Sequence, residues 1–375
     1  MRRTQLLLAL LLPVLAALDA PAWGRARTVN IYNWSDYIEP GVIEAFTKET
    51  GIAVTYDTFD SNDTLETKLL AGKSGYDVVV PTAYFLERQI KAGVFQKLDK
   101  SKLSNLGNVW PEIARRLAAY DPGNQYAVNY MWGTTGIGYN AKMARDILKP
   151  AGPIEAAMAS WDLVFKPENL ARFKDCGVYM LDSPDDIMPA ALNYLGLDPN
   201  SKNASDLEKA AELLIKVRPS VRKFHSSEYL NALASGEICL VVGWSGDIKQ
   251  AQKRAREAKG KVEVGYAIPK VGAQKGGAQM WFDNFAIPKD APNVAQAHAF
   301  IDYMLRPEVA AKNTNFLGYA NGNFASQKLI DKRVLEDRTV YPDADTMRTL
   351  YTISARDQRT QRLLNRLWIR IKTGR

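Results

Sequence analysis

The stretch VNIYNWSDYIEPGVIEAFTKETGIAVTY, residues 29–56, decides the fold. Val29-Asn-Ile-Tyr-Asn33 reads as a short strand. Pro40 then opens a helix carrying Val42, Ile43 and Phe46, and Gly51 ends it. Proline in the first turn and glycine just past the last are the usual helix punctuation. Ile52-Ala-Val-Thr-Tyr56 is the next strand. Outward from here the alternation repeats. Asp63 is expected to cap a helix with Leu65, Leu69 and Leu70 that stops at Gly72, and Val78-Val-Val-Pro81 is an apolar strand followed by a helix over 84–92. A wholly apolar strand belongs in a sheet covered on both faces. The β-α-β-α order predicts an α/β lobe.

A second α/β set follows. Strands are expected at Ile137–Tyr139, Val178–Leu181, Leu240–Trp244, Val262–Ile268 and Trp281–Ile287. Helices are expected over 185–195, 205–216 and 294–305, with a long amphipathic one over 355–373. At 375 residues the chain has length for two domains. No long linker separates them, so the lobes must be joined by short crossing segments, expected near Gly133–Gly138 and near residues 260–265. The expected division is a first α/β lobe from 27–134 and 262–312, and a second from 135–261 and 313–375.

The N-terminus has another character. Arg2-Arg3 precedes an almost unbroken apolar run from Leu6 to Leu18, and small residues follow at Ala20, Ala22, Gly24 and Ala26. This is the order of a secretory signal peptide over residues 1–26, cut after Ala22 or Ala26. The run is too short to span hydrocarbon about 30 Å thick. The formal charge is +8, and removing residues 1–26 takes away three arginines and one aspartate, leaving +6. The basic residues are dispersed apart from the C-terminal Arg362, Arg366, Arg370, Lys372 and Arg375, which read as a solvated helix face, so no nucleic-acid partner is expected. The only cysteines, Cys176 and Cys239, stand at the edges of strand-like segments. In an exported chain two cysteines point to a disulfide. The alternative is a nucleophilic thiol in an exported amine-processing enzyme. It lacks support, because neither His225 nor His298 sits in a nucleophile motif.

Gly136-Ile-Gly138-Tyr-Asn-Ala141 matches the letters of a dinucleotide fingerprint. It lies mid-chain rather than in an opening βαβ unit, and reads better as a hinge strand. Gly72-Lys73-Ser74 lacks the earlier glycine of a P-loop, where Thr67 stands. No zinc-ligand spacing and no G-x-S-x-G elbow occur. No cofactor or metal is expected.

What remains is a set of loops at strand ends that pair an aromatic ring with a carboxylate or hydroxyl. They are Trp34-Ser35-Asp36-Tyr37, Thr82-Ala-Tyr84, Asp182-Ser-Pro-Asp185-Asp186, Trp244-Ser-Gly-Asp247, Trp281-Phe-Asp283 and Tyr319-Ala-Asn321. In open α/β sheets ligands bind at the carboxyl ends of strands, so these loops should converge on one cleft. Carboxylates bind ammonium groups through charge-assisted hydrogen bonds. Indole and phenol faces attract cations and cover methylenes. The pattern suits a slender molecule with a positive charge at each end and repels an anionic one.

At Tyr32-Asn-Trp-Ser-Asp-Tyr-Ile38, Tyr76-Asp-Val-Val-Val-Pro81, Trp132-Gly-Thr-Thr-Gly-Ile-Gly-Tyr-Asn140, Val242-Gly-Trp-Ser-Gly-Asp247 and Tyr319-Ala-Asn321, the sequence resembles the periplasmic polyamine-binding proteins of ABC importers. The putrescine-binding branch is the nearest, and the resemblance covers essentially the whole chain after residue 26. It implies a type II solute-binding fold of two α/β lobes that shut on the ligand, a polyamine ligand, an inner-membrane ABC permease as partner, a periplasmic location, a monomer and no catalysis. A sensing protein that signals to a receptor is the other role compatible with it. The resemblance gives Trp34 and Tyr37 an aromatic-wall role, with Ser35 and Asp36 beside one amine. Trp244 would stack on the ligand, Asp247 and Asp283 would hold amines, and Tyr319 would close the far side. Cys176 and Cys239 match the family's disulfide positions. Four positions depart from the putrescine binders. Thr82 replaces their serine, Asp186 their glutamate, Tyr84 a small residue, and Trp281 a phenylalanine. Tryptophan at that last position is reminiscent of spermidine binders, whereas Asp247 is typical of putrescine binding.

Overall fold

The computed structural model describes residues 27–270 and 277–374; the leader expected over residues 1–26 lies outside them. β1 (Thr28–Trp34) pairs in parallel with β2 (Ala53–Phe59), from Thr28 opposite Ala53 to Trp34 opposite Phe59. Parallel neighbours need a crossover. The helix Pro40–Thr50 supplies it, burying Val42 and Phe46 and ending at Gly51 with φ of 66°. The next helix, Asn62–Leu70, corrects one expectation. Its cap is Ser61, whose Oγ accepts from the Thr64 amide at 3.2 Å. Asp63 instead sits in the first turn, where its charge faces the positive end of the helix dipole.

Eight further strands complete the sheet: β3 (Val78–Val79), β4 (Ala127–Asn140), β5 (Val178–Met180), β6 (Lys223–Phe224), β7 (Leu240–Trp244), β8 (Val264–Ala267), β9 (Gln279–Ala286) and β10 (Ala320–Asn321). They run in the order β2-β1-β3-β9-β4-β7-β5-β6, with β8 and β10 also paired to β4. β4 is the spine. All fourteen of its residues are buried. Its first part pairs with β9 and its last part with β7 and β8. The short strand read at Ile137–Tyr139 is therefore the end of a much longer one that passes from one lobe into the other.

Each lobe has its own apolar core. One gathers Ile137, Tyr139, Val178, Leu192, Leu214, Val241, Ile248 and Ala251, with Leu364, Leu367 and Ile371 of the C-terminal helix Gln358–Thr373. The other side of the molecule packs Val29, Phe46, Val78, Phe285 and Phe300 in one cluster and Phe59, Phe85, Trp132 and Phe282 in another. Leu317, Tyr319, Ala320, Ile330, Val340, Tyr341 and Ile353 join these last two clusters. The packing thus differs from the expected division, which gave all of 313–375 to the second lobe.

The crossing expected near residues 260–265 lies later, because β8 packs in the second lobe through Val264, Tyr266 and Ala267 and the chain enters the first lobe only along β9. A further crossing has no counterpart in the sequence reading. Tyr351 exchanges backbone hydrogen bonds with Ala278 and Met280 beside β9. Tyr120 donates to Ile353 O at 2.9 Å on one side, while Asn200 donates to Thr352 O at 2.9 Å on the other. Arg356 then forms a buried ion pair with Asp185 before the final helix begins. Three strands of chain therefore fix how the two lobes meet.

Cys176 and Cys239 are bonded, with Cα atoms 5.5 Å apart. The bridge ties the starts of β5 and β7, which pair in parallel from Val178 opposite Leu240. Replacing both cysteines by serine should lower unfolding free energy by roughly 2–4 kcal/mol. Urea denaturation of the two proteins under oxidising conditions checks this, and equal midpoints would contradict it.

Candidate ligand-binding site

The carboxyl ends of β1, β3, β5 and β7 and the middle of β9 open onto one cleft between the lobes, with an empty volume of about 830 Å³ including its open mouth. All twelve residues singled out from the sequence line it: Trp34, Ser35, Asp36, Tyr37, Thr82, Tyr84, Asp186, Trp244, Asp247, Trp281, Asp283 and Tyr319. Among the described residues, eight aspartates and no lysine, arginine or histidine form its walls, which makes it an unsuitable site for an anion. No group of three or more histidine, cysteine, aspartate or glutamate side chains that could hold a metal ion occurs among the described residues.

The aspartates fall into two sorts. Several have cationic partners. Asp36, whose backbone adopts φ of 52°, pairs with Arg254 at 2.7 Å, and its carbonyl accepts from Gln250 at 3.2 Å. Asp182 accepts from Lys372 at 2.8 Å and from the Trp368 indole at 2.7 Å. Asp185 is neutralised by Arg356. The expected amine contact of Asp36 therefore competes with an arginine already in place.

Asp186, Asp247 and Asp283 have no cationic partner among the described residues; neutral donors hold them. Asp283 accepts from Thr82 Oγ1 at 2.6 Å and from the Tyr37 hydroxyl at 2.8 Å. Asn62 fixes that threonine in turn, donating to its hydroxyl at 2.9 Å and accepting from its amide at 3.1 Å. Asp247 accepts from the hydroxyls of Tyr229 and Tyr319, each at 2.6 Å. The Asp247 amide donates back to the Tyr319 oxygen at 3.1 Å. Asp186 accepts from Thr135 Oγ1 at 2.6 Å, Ser183 Oγ at 2.7 Å and Trp244 Nε1 at 3.2 Å. With three donors around it, Asp186 orients the Trp244 indole and ties its helix, Pro184–Tyr194, to β4.

Burial disfavours the charged form of an unpaired carboxylate. It pushes Asp247 up to about 6, against the opposing pull of its two tyrosine donors. It pushes Asp283 up to about 7, opposed by Thr82 and Tyr37 and reinforced by the charges of Asp186 and Asp247. Asp186 is raised for the same reason.

Aromatic rings bridge the acids. Trp34 meets Trp244 edge to face at 5.7 Å, across the two lobes. Tyr319 packs edge to face with Tyr37 at 5.1 Å and with Trp281 at 5.5 Å. Tyr84 is buried at the cleft wall, and burial together with Asp186 and Asp185 holds its hydroxyl strongly to its proton.

Sequence reasoning missed part of the wall. Phe59 ends β2 and Asp60, Ser61, Asn62 and Asp63 follow it, while Ser226, Ser227 and Leu230 follow β6. The rule that ligands sit beyond the carboxyl ends of strands reaches both segments, because both strands are parallel members of the sheet. Tyr229 stands in the same segment after β6, but only tertiary packing brings its hydroxyl to Asp247.

The chain matches the family of bacterial extracellular solute-binding proteins over residues 41–337. It is 51% identical to a putrescine-binding periplasmic protein of Pseudomonas aeruginosa, covering 93% of each chain. It is 49% identical to a putrescine-binding periplasmic protein of Escherichia coli, covering 93% of this chain and 92% of that one. A solved structure of the spermidine/putrescine ABC transporter substrate-binding protein of Streptococcus pneumoniae superimposes with a TM-score of 0.74 at 30% identity, covering 93% of this chain and 99% of that one.

The raised carboxyls have a consequence for pH. With no cation beside them, Asp247 and Asp283 favour the protonated form, and their contribution to stability is lost as pH rises through about 6 and about 7. A cationic ligand needs the ionised form, so its affinity should move the opposite way. Binding of a diamine is expected to tighten at least tenfold between pH 5 and pH 8, most steeply at the acid end and levelling off as the pH passes those two values. Calorimetric titration across this range checks it, and a flat profile would contradict it. The two-lobed fold, the interlobe cleft and the match along the chain agree, and the protein belongs to the bacterial extracellular solute-binding family.

Proposed function

We propose that this protein captures a polyamine in the extracytoplasmic space and delivers it to an ABC importer, with putrescine as the first candidate. The observation that carries this reading is the pair Asp247 and Asp283. Both are buried in an aromatic-lined cleft, both are held by hydroxyls, and neither has a cation. A linear diamine supplies one ammonium to each, and its methylenes lie against Trp34, Trp244, Trp281 and Tyr319. The names of the Pseudomonas and Escherichia relatives point the same way. Spermidine is the second reading, because Asp60 and Asp63 extend the acidic wall beyond the two central carboxylates.

The same reading includes export through the leader at residues 1–26 with its removal, a monomer in the periplasm and a permease of the inner membrane as recipient. It uses all twelve cleft residues named from the sequence, with Asp186 acting through Trp244. For the lobes, core packing supports a division in which residues up to about 353 that follow β9 belong with the N-terminal segment, and the C-terminal helix alone returns to the second lobe.

Calorimetric titration with putrescine, cadaverine, spermidine and agmatine tests the proposal. Binding tighter than about 100 μM to at least one is expected, and its absence for all four would overturn the reading. Asp247→Asn and Asp283→Asn should each weaken binding by roughly 30-fold or more, since a desolvated ammonium loses its counter-charge. Unchanged affinity in both variants would remove these residues from the site.

A further inference from the structure

The helix Ser245–Glu257 belongs to the second lobe through Ile248, Ala251 and Ala255, whereas Tyr319 belongs to the core of the first. The two meet at Gly246. A Cβ built on Gly246 would lie far inside the contact distance of the Tyr319 ring, and the three nearest atoms all belong to that ring. The ring has nowhere to retreat. It is 2% exposed, wedged edge to face against Tyr37 and Trp281, and its hydroxyl is tied twice to Asp247. Neighbouring contacts follow the same edge. Lys249 pairs with Asp337 at 2.7 Å, and a Cβ on Gly318 would stand 2.5 Å from Lys249 Cβ.

Nothing in the backbone demands glycine at 246. Its φ is not among the left-handed values found at Gly51, Gly236 or Gly318, and it lies in the first turn of a helix. Only the ring from the opposite lobe excludes a side chain there.

We infer that Gly246 sets lobe closure: its bare Cα lets the Tyr319 ring of the first lobe settle on the second until the Tyr319 hydroxyl reaches Asp247, and any side chain at 246 holds the cleft ajar. The residue touches the ligand cleft only through Tyr319 and Asp247, so it is a positioning residue. In a binding protein of this kind, the cost of substitution then falls on the shut form and leaves the separate lobes intact. The inference rests on the polyamine reading only for the ligand used as a probe.

Gly246→Ala is compared with Gly265→Ala. Gly265 is a control within one lobe, because a Cβ there would meet the ring of Tyr139 of the same core, away from the cleft. Closure is read from dyes placed at the exposed positions Lys48→Cys and Lys209→Cys, one on each lobe. Putrescine drives closure in one arm. In the other, osmotic stress from excluded polyethylene glycol drives it without ligand. Wild type should close in both arms, and Gly246→Ala in neither. The variant should also bind putrescine roughly tenfold or more weakly, mainly through faster release, as expected of an overpacked contact. Its ligand-free melting temperature should stay the same or rise, because alanine favours helix more than glycine does. Gly265→Ala should lose thermal stability yet still close.

Equal closure of Gly246→Ala and wild type in the osmotic arm would overturn the inference, and so would a melting temperature that falls together with affinity. A wild type that closes under osmotic stress but binds no polyamine would sink the functional reading alone.

Discussion

Buried carboxylates without a cation, Asp247 and Asp283 above all, are the constraint around which this protein is arranged. An ionised carboxylate taken out of water is strongly disfavoured unless a counter-charge or several donors accompany it. Asp247 and Asp283 have two hydroxyl donors each, enough to hold them in place but not to keep them charged at low pH. Below about pH 6 to 7 these carboxyls therefore hold protons that a dication can displace. Asp36, Asp182 and Asp185 show the contrast, since each already has an arginine or lysine beside it.

The scaffold places the two sites on different bodies. Asp283 stands on β9 with its donors on the segments after β1 and β3. Asp247 stands in the first turn of the helix after β7, and one of its donors, Tyr319, comes from the opposite lobe. That hydrogen bond exists only when the lobes are together, so closing the cleft and completing the Asp247 site are one event. β4, β9 and the strap from Tyr351 to Arg356 are the connections between the two lobes. The edge-to-face chain from Trp34 to Trp244 and from Tyr37 through Tyr319 to Trp281 lines the same space with faces that suit methylenes and cations.

Much of this was legible because it is local. Val78–Val79 and Leu240–Trp244 are buried on both faces, and that burial writes itself as apolar runs between glycine and proline punctuation. The acid–aromatic loops sit directly after such strands, so finding one finds the other. Features set by long-range packing left no such trace. Tyr229 was unremarkable in sequence, yet its hydroxyl is half of the Asp247 cradle. Asp36 reads as an amine ligand, and nothing nearby in the chain announces Arg254 as its partner. The strap after Tyr351 has no periodic pattern, and its partners come from Tyr120, Asp185, Asn200 and Ala278. For the same reason the segment around Leu317, Ala320 and Tyr341 was assigned to the second lobe while its side chains pack in the first. Asn62 lay within reach of the strand-end rule, but β2 was read as ending at Tyr56 rather than Phe59, which hid the loop behind it.

Infrared difference spectroscopy of the protein near pH 6 addresses the central claim most directly. Adding putrescine should remove the C=O stretch of a protonated aspartic acid and add the stretches of ionised carboxylate, and the change should disappear in the Asp283→Asn, Asp247→Asn double variant. A ligand-bound protein whose carboxyl bands are the same as those of the empty one would contradict the account.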